Sequence, residues 1–344
     1  MKKLRIGLIG CGGRMRGSSG KVGGHVKELL AMDDIEVVAV ADPIEERRVT
    51  AAELFGCTRL YDGYTALLDH ESKETLDALF IAIEPTAHGD CELRAVEMGI
   101  PFLVEKPMTV DPDLAEKINA AIQEKGLITA VGFQDRYLNV MEQIKEELPA
   151  HPAGGLVYGS WVGGIPGVWW WQKKSTCGGQ LVEQNIHLLD GLRWLFGEPL
   201  SVYATASRGI VKAGTDASEE YDTDDHSTAV FRFPNNVTAT LVSGCYVGKS
   251  EPLSVRPNCG LMISLRDQVY DYRLRNNLII KTPAEVRDIA AAKDQTYKLD
   301  RAFLDAVRSG DPSGIRSPYS DALKSLKVCF AANRSMETGE VIYF

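Results

Sequence analysis

Apolar residues fall in two rhythms along this chain. Up to Gly132, short and nearly continuous apolar runs alternate with stretches of helical period. The runs Leu4–Ile9, Glu36–Ala41, Ala78–Ile83, Pro101–Val104 and Ile128–Gly132 have the length and branching expected of strands buried on both faces, which is the mark of a parallel sheet. Between them, Ile44–Phe55, His88–Met98 and Asp111–Glu124 carry apolar residues at helical spacing. Asp111-Pro112 opens the last of these with a capping acid and a proline in the first turn. This alternation predicts a doubly wound α/β domain over 1–132.

After Gly132 the rhythm changes. A helix-like stretch, Leu138–Leu148, leads to a turn at His151–Gly155, and then β-rich runs dominate: Val157–Val162, Ser201–Ser207, Ser227–Phe233, Val237–Ser243, Gly260–Leu265 and Gln268–Arg273. Asn235-Asn236 between two of them reads as a hairpin turn. One long helix, Gly179–Phe196, interrupts and is stopped by Gly197. The segment 133–344 is therefore expected to be an α+β domain with a large, mostly antiparallel open sheet. Its tail turns helical from Asp300, and the last helix, about 320–338, is expected to pack back on the domain boundary. An open sheet of this kind hides a face by self-association, so a homodimer or homotetramer is expected.

Composition narrows the function. At 344 residues the chain suits two domains. A formal charge of −9 argues against nucleic acid, whose phosphates call for a basic face. The seven cysteines are scattered, odd in number and without a C-x-x-C pair, which suits reduced thiols in a cytoplasm. No run approaches the ~18 apolar residues of a membrane span. Met1-Lys2-Lys3 begins no secretion signal, because Arg5 and the glycines break the apolar run that follows.

Candidate chemistry begins where the first strand ends. Gly10-Cys11-Gly12-Gly13 follows Leu4–Ile9, and the second strand stops on Asp42. Glycines at that point let backbone N–H groups approach a pyrophosphate, the next helix N-terminus adds a favourable dipole, and an acid after the second strand takes ribose hydroxyls. A carboxylate there repels a 2′-phosphate, so NAD is favoured over NADP, with Arg47 and Arg48 near enough to soften the choice. Met15 stands where the third glycine of the fingerprint would fall, which implies a looser or displaced first helix. The glycine-rich stretch Arg14–Gly24 reads equally as a phosphate-facing loop or as a surface insertion, with the helix starting near His25.

Two further constellations carry reactive groups. Glu105-Lys106-Pro107 lies at the carboxyl end of a predicted parallel strand, the edge at which such sheets bind ligands. A lysine there either reaches a substrate oxygen over a nicotinamide or is an ordinary solvated side chain. Downstream, Gly178-Gly179 precedes Glu183, Asn185, His187 and Asp190. Glu183 and His187 share a helical face, as a general base beside a carboxylate or as a structural histidine. No metal-ligand spacing is present, and the acidic stretch Glu219–Asp225 reads as a solvated loop. Trp169-Trp170-Trp171 cannot all face one core, and at least one is expected to line a pocket, where an indole face stacks on a ligand, rather than serve as core or subunit contact.

Taken in order, the glycine loop, the strand-end Glu-Lys-Pro and the Gly-Gly-x-x-x-acid-x-x-x-His resemble the Gfo/Idh/MocA family of sugar and polyol dehydrogenases. Pro85-Thr86-Ala87-His88 resembles that family's nicotinamide loop, Gly132-Phe133-Gln134 with Arg136-Tyr137 its domain junction, and Trp194–Pro199 the end of its catalytic-helix segment. The resemblance covers essentially the whole chain. It implies an N-terminal Rossmann domain, NAD as cofactor held by Gly10, Gly12, Gly13, Asp42, Arg47, Pro85, His88, Glu105 and Lys106, and catalysis by Lys106 and His187. Glu183 stands where an aspartate is commoner, and Asn185 where a glycine is frequent. Gln134, Arg136, the three tryptophans, Asn185 and Asp190 then become candidates for the substrate side, although Arg136 and Arg193 suit structural ion pairs better. The expected partner is a small sugar or polyol. Two other outcomes on this fold are a NAD-retaining glycoside hydrolase and a NAD-binding regulator that has lost catalysis.

Overall fold

The computed structural model describes residues 2–17, 21–148, 154–248 and 259–344. The glycine-rich stretch is thus described except for 18–20, and 151–153 of the expected turn lie outside the described residues. The chain forms two compact units, one of Met1–Tyr137 with Asp294–Leu323, the other of Leu138–Lys293 with Lys324–Phe344. The last of the three boundaries falls inside the helix Tyr319–Thr338.

In the first unit β1 (Leu4–Ile9), β2 (Ile35–Ala41), β3 (Arg59–Tyr61), β4 (Ala78–Ile81), β5 (Phe102–Val104) and β6 (Thr129–Val131) form one parallel sheet. Its order is β3-β2-β1-β4-β5-β6, the doubly wound Rossmann arrangement in which the strand order reverses beside β1. β4, β5 and β6 are buried at every position, as continuous apolar runs predict. Sequence pattern did not reveal β3, a three-residue edge strand that is only half-buried. The helix Gln295–Ser309 belongs to this unit and brings Leu299, Phe303 and Leu304 into a core shared with Ile6, Leu8, Val26 and Leu29. Phe80 on β4 stands edge-on to Phe303, with ring centroids 5.6 Å apart.

The helix expected near His25 is present, and a separate single turn precedes it. A single turn, Gly13–Arg16, follows the glycines, and the longer helix starts at Gly24 and runs to Leu30. The physical reason is Met15. Its side chain is fully buried in the core with Val26 and Leu29, filling space that a glycine would leave for close helix–strand packing.

The second unit is built on a nine-stranded sheet. Its strands are β7 (Gly155–Val162), β8 (Ser201–Ser207), β9 (His226–Phe233), β10 (Val237–Gly244), β11 (Gly260–Ser264), β12 (Val269–Arg273), β13 (Asn277–Lys281), β14 (Val286–Ala290) and β15 (Ile342–Tyr343). The order is β14-β13-β12-β11-β7-β10-β9-β8-β15, antiparallel except where β7 pairs with β10. Asn235 and Asn236 both take left-handed φ, 58° and 57°, which makes the β9–β10 connection the tight hairpin that their side chains tolerate. The long helix begins later than Gly179. It starts as a π-helical turn, Leu181–Asn185, and continues as an α-helix over Ile186–Phe196.

Among the described residues, one face of this sheet carries an exposed cross-strand row. Tyr203, Val230, Thr240, Tyr158 and Met262 are successive cross-strand partners on β8, β9, β10, β7 and β11. The four apolar members of the row are exposed.

Because the hairpin demands left-handed backbone at both central residues, Asn236→Val should lower the melting temperature while Asn236→Gly holds or raises it. The two variants should differ by about 1 kcal/mol, measured by thermal denaturation.

Candidate active site

At the carboxyl edge of the first unit's sheet, Gly10 has φ +82° and a Cβ there would lie 2.4 Å from the Ala82 carbonyl oxygen. Only glycine fits. Gly12 differs, since a Cβ would meet nothing nearer than Arg47 Nη1 at 4.0 Å, so its backbone faces open space beside a guanidinium. Open backbone flanked by a cation suits a diphosphate. Asp42 joins the two strand-end loops, its Oδ2 accepting from Cys11 N at 2.7 Å and its Oδ1 from Ile44 N at 2.8 Å. A carboxylate has about four acceptor positions, so these bonds orient Asp42 without exhausting it. These residues fit a dinucleotide. Only one helical turn starts at Gly13, so little of the dipole expected from the next helix N-terminus is available there. Burial, and then the Asp42 charge, push the Cys11 thiol up to about 12, which leaves it unreactive at neutral pH.

Pro85 and His88 follow β4. His88 is buried, with Nδ1 bonded to the equally buried Glu92. After β5, Glu105 is 5% exposed and Lys106 is half-buried. Arg14 Nε donates to Glu105 Oε1 at 2.6 Å, His25 Nε2 lies 3.0 Å from the same oxygen, and Lys106 N donates to Oε2 at 3.2 Å. Burial alone would raise the Glu105 carboxyl, but the Arg14 charge, the His25 bond and charge, and Lys106 hold it down at about 2. Gln134 is buried and accepts from Arg14 Nη2 at 3.1 Å. Arg136 pairs with Asp321 at 2.6 Å and donates to the Arg316 carbonyl at 2.5 Å, the structural engagement that its sequence context favoured.

The second unit supplies the other group of candidates. Gly178 and Gly179 have φ of 75° and 89° and turn the chain into the π-helical segment. Such widened turns recur at functional sites. Glu183 on it is half-buried and its Oε2 accepts from Trp171 Nε1 at 3.0 Å. His187 is 5% exposed, and the Trp161 ring stacks on it with centroids 6.1 Å apart and planes 18° from parallel. Gln180 Nε2 donates to the Trp161 and Gly244 carbonyls and to Gln184 Oε1, at 3.1, 3.0 and 3.0 Å, tying the helix start to β7 and β10.

The three tryptophans separate as three in a row must. Trp169 is 63% exposed, Trp170 half-buried and Trp171 wholly buried, so Trp171 reaches the site only through Glu183. Asn185 is fully buried and its Nδ2 turns to β10, donating to Ser243 Oγ at 2.8 Å and the Val242 carbonyl at 3.2 Å. Asp190 accepts from Ser325 Oγ at 2.7 Å, 3.7 Å from Arg193, which is itself forked onto Glu198 at 2.8 and 2.6 Å. Asp225 is buried under its own loop, accepting from Ile210 N and Val211 N. Among the described residues, no group of three or more His, Cys, Asp or Glu is arranged to hold a metal ion, and no helix is long and apolar enough to cross a membrane.

Sequence reasoning missed Trp161, Arg14 and the pairing of His25 with Asp300. Trp161 sits within a predicted strand and gave no separate signal. His25 and Asp300 are 275 positions apart, and only the fold joins them.

Comparison with known proteins agrees with this architecture. Residues 4–133 match the model of the oxidoreductase family with an NAD-binding Rossmann fold, and residues 156–259 match the GFO/IDH/MocA C-terminal domain. The rhizopine catabolism protein MocA of Rhizobium meliloti is 28% identical over 225 residues, 63% of this chain and 66% of that protein. The scyllo-inositol 2-dehydrogenase (NAD(+)) of Bacillus subtilis (strain 168) is 27% identical over 326 residues, 92% of this chain and 91% of its own length. Among solved structures, the WlbA dehydrogenase from Bordetella pertussis in complex with NADH and UDP-GlcNAcA superposes with a TM-score of 0.79 at 20% identity, over 100% of this chain and 99% of its own. The chain belongs to the Gfo/Idh/MocA family of NAD-binding oxidoreductases.

Proposed function

We propose that the protein is an NAD-dependent dehydrogenase that oxidises a hydroxyl of a sugar, sugar derivative or cyclitol. The observation that carries this reading is Glu183 on the π-helical turn and His187 at the start of the α-helix that follows, with Trp171 bonded to the acid and Trp161 stacked on the imidazole. A base and a hydrogen-bonding acid beside an aromatic face suit a polyhydroxylated ring, whose apolar side stacks and whose hydroxyls bond. The relatives named for inositol and sugar oxidation support the same substrate class.

NAD, when bound, supplies the hydride acceptor. His187 then removes the proton of the reacting hydroxyl. Lys106 donates a hydrogen bond to that oxygen as negative charge develops on it, an electrostatic contribution. Glu183, held by Trp171, orients His187 or a neighbouring hydroxyl. Gly10, Gly12 and Gly13 with Arg47 receive the pyrophosphate. Asp42 takes the ribose hydroxyls and disfavours a 2′-phosphate. No disulfide joins any of the seven cysteines, which supports a reducing, cytoplasmic setting. The open apolar row Tyr203–Val230–Thr240–Tyr158–Met262 supports a homodimer or homotetramer closed over that face.

In assays of NADH formation against free sugars, inositols and glycosides, Lys106→Ala and His187→Ala should each lower turnover by about 10²–10⁴-fold while NAD affinity changes little. Near-normal turnover in both variants contradicts the assignment. The oligomer is tested by light scattering behind gel filtration. The wild type should run as a dimer or larger and a Val230→Lys, Met262→Lys double variant as a smaller species, whereas a monomeric wild type refutes the proposal.

A further inference from the structure

Around Glu105 the first unit buries more ionisable groups than the proposed chemistry uses. His25, on the helix Gly24–Leu30, is fully buried. Its Nε2 lies 3.0 Å from Glu105 Oε1 and its Nδ1 lies 2.7 Å from Asp300 Oδ1. Asp300 is also fully buried, on the helix Gln295–Ser309. The other charged groups acting on this set are Arg14, bonded to Glu105 and to Gln134, and Lys106, whose charge also acts on Glu105, while burial pushes the Asp300 carboxyl up. The Phe80 ring closes one side, its centroid 5.5 Å from that of His25.

Both imidazole nitrogens therefore face carboxylate oxygens. A neutral imidazole has one N–H and would turn a lone pair on one of the carboxylates. An imidazolium donates to both. It also places a cation directly between the two carboxyl groups of Glu105 and Asp300. Glu105 packs tightly against the Gly132 backbone on one side, where a Cβ would fall 2.5 Å from its Cδ. Its second oxygen receives the Lys106 N–H.

We propose that His25 is a positioning residue for Lys106. Bridging Asp300 and Glu105, it clamps the Glu105 carboxylate, and that carboxylate fixes the backbone from which the Lys106 side chain departs. The glycine-rich stretch between Arg14 and His25 thereby acquires a role at its two ends, each delivering a cation to one oxygen. The inference rests on the role assigned to Lys106 above and adds a residue that never touches substrate.

The clamp has a pH signature. Burial works against the charged imidazole, but the Asp300 charge and the bonds to Asp300 and Glu105 outweigh it and raise His25 from 6.5 to about 9. A raised folded value stabilises fully below the unfolded value, and that contribution is lost as pH rises through about 9. Glu105, lowered from 4.5 to about 2, contributes above 4.5 and loses its contribution as pH falls through about 2. Both are complete only between about 4.5 and 6.5.

The experiment is a double-mutant cycle on the full chain with NAD and the substrate found by the NADH assay. His25→Gln should lower kcat by about 10–100-fold with KM and NAD affinity nearly unchanged. On the Lys106→Ala background it should change turnover less than about two-fold, since positioning a missing group gains nothing. Equal losses in both backgrounds, or wild-type kcat in His25→Gln, overturn the proposal. If Lys106→Ala itself is silent, the role of Lys106 has failed instead, and the clamp as a positioning device fails with it. Thermal scans give a second reading, in which the wild type loses stability relative to His25→Gln between pH 6.5 and 9. Should His25→Gln not fold, Asp300→Asn must move the alkaline loss of wild-type kcat and stability to lower pH, and an unmoved profile refutes the clamp.

Discussion

A buried carboxylate survives as an anion only if donors replace the water it has lost, and Glu105 is where that requirement shapes the first unit. It sits at the end of a strand buried on both faces, where water cannot serve it. Arg14, His25 and the Lys106 amide supply the donors, and they come from the turn after β1, the next helix and Glu105's own strand end. Removing any one leaves a charge short of partners, so the loops at this edge are held as a group. Gly132 belongs to the same constraint, because any side chain there would collide with the carboxylate. The cofactor edge is thus preorganised by a charge placed for structure.

The second unit reaches rigidity by another route. Glu183 and His187 ride on a helix whose first turn is widened, and each of the two is supported by an aromatic ring. Trp171 is buried so completely that its N–H serves only Glu183, and Trp161 lies parallel to His187. Gln180 stitches this helix start to two strand ends. An aromatic and amide scaffold holds the imidazole in place without the desolvation cost of further charges, which suits the base role proposed for His187.

Much of this was legible in the sequence because it is local. Continuous apolar runs gave the buried parallel strands, and the paired asparagines gave the hairpin. Four-residue spacing singled out Glu183 and His187 as candidates, although the π-helical turn at Leu181–Asn185 departs from the α-helical spacing behind that reading. What escaped depends on long-range closure or on weak pattern. β3 is a short edge strand, β14 alternates between half-buried and exposed positions with no buried face, and neither has an apolar signal to read. The displaced first helix was implied by Met15, but the depth of that side chain in the core was not. The bridge from His25 to Asp300 joins opposite ends of the chain, and no local rule pairs them. The row across the open sheet was likewise invisible until strand register fixed which residues align.

The most direct test of the account is the fate of a substrate hydride. The protein is incubated with NAD and each member of a panel of sugars and inositols carrying deuterium on every carbon, and the cofactor is weighed by mass spectrometry. The account predicts that a substrate in this class yields NADH one mass unit heavier, in step with oxidation of one hydroxyl. Reduced cofactor without deuterium, or product formed while the NAD stays oxidised, would contradict it.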